Sequence, residues 1–341
     1  MSQLISIKEL NIQFQTEHGK AHVIKDVSFS IPFGETFGLV GESGCGKSVT
    51  SRSLMQLIPY PGRITKGEIL FFKEETSEYI DITKTSEKEM QHIRGQEIGM
   101  IFQEPDSALN PIMSVGDQIT ETLYIQNKIS RKNRFFDNPI KHMQRKKEFW
   151  DKAITLLKQL EISDPESVAN RYPHQLSGGM KQRILIAIAL AGSPSLLISD
   201  ESTSSLDVTV QSQIILLLDQ LKKNRIIQSI LFITHDLGLA SIFCNRVGVM
   251  YSGCMCEIGL ASDIFQNPLH PYTYSLLATI PRKSIQNKLS PIQGQVPDLL
   301  NSPQGCRFHP RCYRVTKKCK IETPDLKSID SDRMVACWNM L

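Results

Sequence analysis

Apolar residues first alternate along this chain and later recur with a helical period. In LISIKELNIQF, Ile5, Ile7, Leu10, Ile12 and Phe14 fall near every second position, and VIKDVSFSI repeats the pattern. Such alternation predicts half-buried strands. ETFGLVGESGCGKSVTSRSLMQLI then reads as a short apolar strand, a glycine loop and a helix with Leu54, Leu57 and Ile58 on one face. The apolar runs EIGMIF, SLLIS, ILFITH and RVGVMY follow at intervals. Helical stripes separate most of them: Leu156, Leu157 and Leu160 in one, Ile214, Leu217, Leu218 and Leu221 in another. Strands alternating with helices predict an α/β fold with a largely parallel sheet covered on both faces.

Residues 104–180 interrupt that alternation. They carry helical patterns and no buried-strand run, which predicts a helical insertion between sheet-forming parts at 1–103 and 181–267. Inside it, residues 128–147 are strongly basic, which fits a solvated loop or a contact to lipid headgroups or a partner. From Pro268 the composition shifts toward Pro, Lys and Cys, so 268–341 is expected to be a tail with short elements.

Composition narrows the class. A chain of 341 residues, 40% hydrophobic and 22% charged, is globular and long enough for two or three domains. A net charge of +4 is too mild to argue for nucleic acid. The longest apolar run, Ile184 to Ala191, falls far short of the roughly 18 residues of a membrane span. The opening MSQLISIKEL lacks the plan of a signal peptide. The expectation is a cytosolic protein whose membrane role, if any, is peripheral. Cys306, Cys312, Cys319 and Cys337 gather in the tail, and in a reducing compartment such a cluster suggests a metal site more than disulfides.

The most specific chemistry lies at GESGCGKS, Gly41 to Ser48, which fits G-x-x-x-x-G-K-[ST]. Phosphates are polyanions, and consecutive backbone N–H groups surround them only where the chain turns tightly, as Gly41, Gly44 and Gly46 permit. The loop residues Glu42, Ser43 and Cys45 then contribute main-chain donors, and the helix opening at Lys47, Ser48 and Val49 adds its positive end. Lys47 is expected on the β/γ-phosphates and Ser48 on Mg²⁺. An apolar strand before the loop and a helical pattern after it supply the context this motif requires.

SLLISDE is an apolar strand ending in two acids. Beside a phosphate loop, Asp200 is expected to hold Mg²⁺ and Glu201 to polarise the attacking water. Gln103, after IGMIF, and His235, after ILFIT, also stand at strand ends, where ligands sit in open α/β sheets. Gln103 is a further candidate for Mg²⁺ and His235 for the γ-phosphate. In LSGGMKQR, Ser177, Gly178 and Gly179 precede a helix and form a second anion-binding start. The simplest account of two such sites far apart is that this loop caps the γ-phosphate of ATP held by another subunit.

In this order the residues resemble the nucleotide-binding subunits of ABC transporters: Walker A at Gly41–Ser48, Q-loop at Gln103, signature at Leu176–Met180, Walker B at Leu196–Asp200, catalytic Glu201, D-loop at Ser204–Asp207 and switch His235. The resemblance covers nearly the whole chain, and together the motifs are highly specific. The resemblance implies a P-loop NTPase core of the RecA-like kind, an antiparallel β subdomain and a helical signature subdomain. It also implies a head-to-tail dimer of ATPase subunits with two ATP molecules sandwiched between Walker motifs and the opposing signature loops. An aromatic residue before Walker A stacks on adenine in this family. Phe14 is the candidate, with His18 and His22 as alternatives and ordinary strand packing as the competing role for Phe14.

The tail narrows the resemblance. NPLHPYTYSLL, GQVPDLL and GCRFHPRC with the later Cys319 and Cys337 are similar to the dipeptide/oligopeptide importer ATPases, whose C-terminal cysteines bind a [4Fe-4S] cluster in some members. Soft thiolates suit iron–sulfur or zinc; zinc modules usually contain close Cys pairs, which this tail lacks. Iron–sulfur, zinc and free thiols all stay open. Arg307, Arg311, Arg314 and Lys318 either offset thiolate charge or belong to a solvated basic tail. The resemblance further implies two permease subunits, an extracytoplasmic peptide-binding protein, a paralogous second ATPase, and a place on the cytoplasmic face of the membrane. Nickel importers have similar ATPases, and ABC ATPases of DNA repair or translation share the motifs but usually add coiled coils or a tandem cassette. One departure stands out: Ser202 occupies the position where the family usually has proline after the catalytic glutamate, and serine is expected to loosen the turn into the D-loop.

Overall fold

The computed structural model describes residues 3–130, 139–202, 207–279 and 292–341, with backbone alone at 127–130 and 139–143. Most of the basic segment 128–147, and Ser204 of the expected D-loop, lie outside the described side chains. The strands in chain order are β1 (Gln3–Thr16), β2 (Gly19–Pro32), β3 (Thr36–Val40), β4 (Gly62–Lys73), β5 (Glu78–Asp81), β6 (Ile98–Ile101), β7 (Leu196–Asp200), β8 (Ser229–Thr234), β9 (Arg246–Tyr251), β10 (Cys254–Leu260), β11 (Lys327–Ser328) and β12 (Met334–Val335). The chain divides into two compact units, Met1–Lys84 with Leu231–Leu341, and Thr85–Ile230.

The first unit holds an antiparallel sheet in the order β2-β1-β4-β5. β1 pairs with β2, Ser6 opposite Ser30 and Ile12 opposite Ile24, and with β4, Ile5 opposite Phe71. Its alternating Ile5, Ile7, Leu10 and Ile12 are buried, as the period-two pattern predicts. Strands β4 and β5 have no counterpart in the sequence reading, because half-exposed residues blur their pattern.

The same unit carries strands in the order β11-β12-β10-β9-β3-β8, most of β8 belonging here. β3 is buried along its whole length and runs parallel to β9, Leu39 opposite Gly248. Beyond β9 the sheet turns antiparallel: β10 pairs with β9, and β12, from the tail, pairs with β10, Glu257 opposite Val335. The expected tail therefore extends the sheet. A buried carboxylate fixes it there. Glu257 accepts from Arg333 at 2.6 Å and 3.2 Å and from the N–H groups of Leu269 and His270 at 2.9 Å and 3.0 Å. With its lone pairs filled, this buried pair holds β10, β12 and the turn before Pro271 together; removing either partner would strand a charge, at about 3–5 kcal/mol.

After the glycine loop the helix is shorter than its pattern predicts. It spans Lys47–Ser53; Leu54 is buried but Leu57 is 38% exposed. Gln56 takes φ 50°, and Leu57 N–H closes back on Arg52 C=O, so the chain leaves the helix before Pro59 and Pro61.

The second unit pairs β6 and β7 in parallel, Ile98 opposite Leu196 and Ile101 opposite Ser199. Between these strands the described elements are helical, including Val115–Ser130, Pro139–Gln159 and Gly178–Leu190. The last buries Ile184, Ile186 and Ala187 completely, which explains its apolar residues on every side. In the helix Val208–Lys223 the predicted stripe of Ile214, Leu217, Leu218 and Leu221 is buried. Among the described residues no helix is long and apolar enough to cross a membrane.

Acid should loosen the docked tail. His270 is buried, its Nδ1 accepting the Tyr272 N–H at 3.0 Å, and burial lowers its pKa to about 4 from 6.5. The unfolded chain binds a proton that the fold refuses between these values. This contribution is therefore complete above pH 6.5 and is lost as pH falls toward 4, about 2 kcal/mol at pH 5. Urea midpoints measured from pH 7 to 5 should fall, and His270→Asn should flatten the dependence. Equal slopes for the two proteins would contradict this role.

Candidate nucleotide site

The phosphate loop leaves β3 at Gly41. A Cβ there would stand 2.1 Å from the carbonyl oxygen of Met250 on β9, so nothing larger than glycine fits the close approach. Gly46, at φ 103°, occupies a left-handed conformation, and a Cβ would meet Ile24 at 2.5 Å. Cys45 is buried, its O accepting from Gly253 N–H at 2.8 Å; burial pushes its thiol pKa up against the pull of Lys47. It is a neutral filler under the loop.

Lys47 is only 4% exposed. Its Nζ donates to the carbonyls of Gly41 at 2.9 Å and Glu42 at 3.2 Å, so the loop's own main chain seats the cation. Ser48 and Val49 are half-buried in the first turn, while Ser43 and Gly44 are exposed. In the same unit His235 stands exposed just past β8, the neighbour of β3, and Asp236 beside it caps the helix Leu237–Phe243.

One loop residue is held by contacts that the sequence does not signal. Arg311 closes a two-pronged bond on the Glu42 carboxylate at 2.6 Å and 3.0 Å, and the Glu42 N–H donates to the Tyr272 hydroxyl at 3.0 Å. Arg307 is buried and donates to the carbonyls of Ser252 and His22. Arg314 donates to Asn339 at 3.3 Å, and the Lys318 ammonium lies 3.6 Å over the Trp338 ring. The solvated basic tail is thus corrected for Arg307 and Arg311, which are spent on main-chain carbonyls and a carboxylate.

In the second unit the parallel pair β6–β7 brings two expected residues together. Gln103 Nε2 donates to Glu201 Oε2 at 3.3 Å, each just past the carboxyl end of its strand. Glu201 has φ 47°, an uncommon conformation for a residue with a side chain and one that marks many functional positions. Asp200, at the end of β7, is buried. Ser202 does not loosen this turn at its start: it is buried and shares a hydrogen bond with Ser199 Oγ at 2.7 Å, a tether that proline lacks. Asp207 caps the helix Val208–Lys223, accepting from Thr209 and Val210 N–H at 3.1 Å and 2.9 Å. Ser177 likewise caps Gly178–Leu190 through Met180 N–H at 3.4 Å, with Ser177 and Gly178 exposed and Gly179 against Val210.

Phe14 is half-buried on β1, its ring packed over Gly62 of β4, where a Cβ would come within 2.6 Å. His18 and His22 are exposed, and His22 pairs with Gln13 at 3.2 Å. The tail brings the four expected thiols into one neighbourhood. Cys306 is pushed up to about 12, first by burial and further by Cys319, Cys337 and Cys312. Thr316 bonds Cys319 Sγ at 3.2 Å, and Asn339 N–H donates to Cys337 Sγ at 3.3 Å. Among the described residues, however, no group of three or more His, Cys, Asp or Glu is arranged to hold a metal ion.

Residues 24–204 match the family model of the ABC transporter, and residues 256–319 match that of the oligopeptide/dipeptide transporter C-terminal region. The chain is 44% identical over 341 residues to the oligopeptide transport ATP-binding protein OppD of Bacillus subtilis (strain 168), covering 99% of this chain and 89% of that protein. It is 42% identical over 340 residues to the dipeptide transport ATP-binding protein DppD of the same organism, covering 99% and 95%. Among solved structures, cbiO1 from Clostridium perfringens, part of an ABC transporter complex, is similar with a TM-score of 0.61 at 27% identity, over 78% of this chain and 92% of that one. A bacterial ABC transporter cassette solved as a dimer gives 0.60 at 26% identity, over 74% and 96%. With the glycine-shaped loop seating Lys47, the Gln103–Glu201 pair and a family match along its length, the chain belongs to the ATP-binding subunits of the oligopeptide and dipeptide ABC transporter family.

Proposed function

We propose that this chain hydrolyses ATP to energise the uptake of dipeptides or oligopeptides through partner permeases at the cytoplasmic face of the membrane. The observation that carries the chemistry is the Glu201 carboxylate, held in a left-handed turn at the end of β7 and met by Gln103. In this reading the loop Gly41–Val49 grips the triphosphate through main-chain N–H groups, and Lys47 leaves its two carbonyls for the β/γ-phosphates. Glu201 takes the proton of the attacking water, and His235 contacts the γ-phosphate. Ser48, Asp200 and Gln103 supply the oxygen donors that Mg²⁺ prefers, and the ion, when bound, offsets phosphate charge. Phe14 stacks on adenine.

The helix start at Ser177–Gly179, exposed at Ser177 and Gly178, suits the γ-phosphate of ATP held by a second ATPase subunit, a paralogue in the family pattern, with Asp207 three residues before the Val210 that packs on Gly179. Two permeases and an extracytoplasmic peptide-binding protein complete the importer. The names of the Bacillus subtilis relatives support peptides as the cargo.

The thiols of Cys306, Cys312, Cys319 and Cys337 are the proposed ligands of a [4Fe-4S] cluster. Their softness and mutual proximity support it, while the side-chain arrangement described above does not yet form a cage.

Three experiments test these readings. Glu201→Gln should lower ATP turnover by roughly 100-fold or more, as loss of a general base does, and trap an ATP-bound dimer on a sizing column. Lys47→Ala should instead lose ATP binding. Near-normal turnover in Glu201→Gln would contradict the assignment. Anaerobically purified protein should contain roughly four iron and four sulfide per chain. Stoichiometric zinc, or no metal, would overturn the cluster.

A further inference from the structure

The tail reaches the phosphate loop at one residue and holds it at both ends. Glu42 gives its N–H to Tyr272 at 3.0 Å and its carboxylate to Arg311 at 2.6 Å and 3.0 Å. Its carbonyl is one of the two that seat the Lys47 ammonium, at 3.2 Å. A rotation at residue 42 would therefore move an acceptor of the cation that meets the phosphates.

Arg311 is built for this task. Its side chain is 4% exposed, against 24% for Glu42. Its remaining donors are occupied: Nε by Gln293 C=O at 3.0 Å, Nη2 by Ile292 C=O at 3.4 Å, and Nη1 also by the Tyr251 hydroxyl at 3.2 Å. Tyr251, Tyr272 and Phe308 pack ring against ring beneath it, with centroids 4.6 to 5.2 Å apart. A fork so anchored is geometrically fixed, unlike the mobile ion pairs of an open surface. Docking of the tail does not depend on it, because Glu257–Arg333 and Arg307 already tie the tail to the sheet.

Charge gives the contact a second consequence. Glu42 is an acid within a loop that must receive a polyanion, and an unpaired carboxylate there would repel ATP. Arg311 cancels that charge where it arises.

We propose that Arg311 is a positioning residue for ATP binding, one that touches no nucleotide but, through Glu42, holds and neutralises the phosphate loop. The C-terminal extension then sets the nucleotide affinity of the cassette. The proposal rests on the ATP-binding reading, and Lys47→Ala separates the two: if that variant binds MgATP normally, the site itself is misassigned.

The test is a double-mutant cycle on the full chain, read as the Kd for MgATP by calorimetry. Arg311→Ala should weaken binding about ten-fold, about 1.4 kcal/mol, with kcat at saturating ATP falling less than affinity. Arg311→Lys, which keeps the charge and loses the fork, should fall between. In the Glu42→Gln background, Arg311→Ala should add little, because the charge to be neutralised is gone. A merely structural role would lower the melting temperature of Arg311→Ala and leave no coupling to Glu42. If Arg311→Ala does not fold, Arg311→Lys in the two backgrounds gives the same comparison. Affinity within two-fold of the parent in both backgrounds, or an equal loss in both, would overturn the proposal.

Discussion

A triphosphate carries too much charge to be held by one or two cations, so a protein surrounds it with main-chain N–H groups that do not titrate and need no counter-charge. That demands a run of turns in which side chains have no room. Here the demand is met at Gly41, whose backbone runs against the carbonyl of Met250, and at Gly46, against Ile24. Those contacts exist because β3 runs parallel to β9 and because β2 lies beneath the first turn after the loop. The loop's shape is thus a property of the sheet under it, and with the proposed role of the loop, substitutions in β9 far from Lys47 in sequence should bear on nucleotide binding.

The tail belongs to the same design. A terminal segment rich in Arg, Lys and Cys looks like solvated surface, yet Arg307 and Arg333 are buried and the side chain of Arg311 is nearly so. Each donates to acceptors outside its own segment: Arg307 to the Ser252 and His22 carbonyls, Arg333 to Glu257, and Arg311 to Glu42. Burying a guanidinium is costly unless its donors are filled, so each contact fixes the tail in a single place. The outcome is an extension wired to the sheet edge and to the phosphate loop at once.

What the sequence disclosed follows from how local each constraint is. β3, β7, β8 and β9 are buried on both faces and read as unbroken apolar runs. The glycine loop and the acids after β7 announce themselves within a few residues. β4 and β5 are half-exposed and pass unnoticed. The helix after the loop stops at Ser53 because of a turn at Gln56 that its apolar spacing does not encode. Ser202 in place of proline suggests slack, whereas its hydroxyl shares a hydrogen bond with Ser199, three residues back on β7. Glu42 and Arg311 lie 269 residues apart, and no local pattern links them.

In the proposed function the Gly41–Ser48 loop binds phosphate rather than the base or the sugar. Competition calorimetry with ATP, ADP, AMP and adenosine, each with magnesium, tests it directly. ATP and ADP should bind at least roughly 100-fold more tightly than AMP and adenosine, about 2.7 kcal/mol or more. Adenosine binding as tightly as ATP would contradict the account.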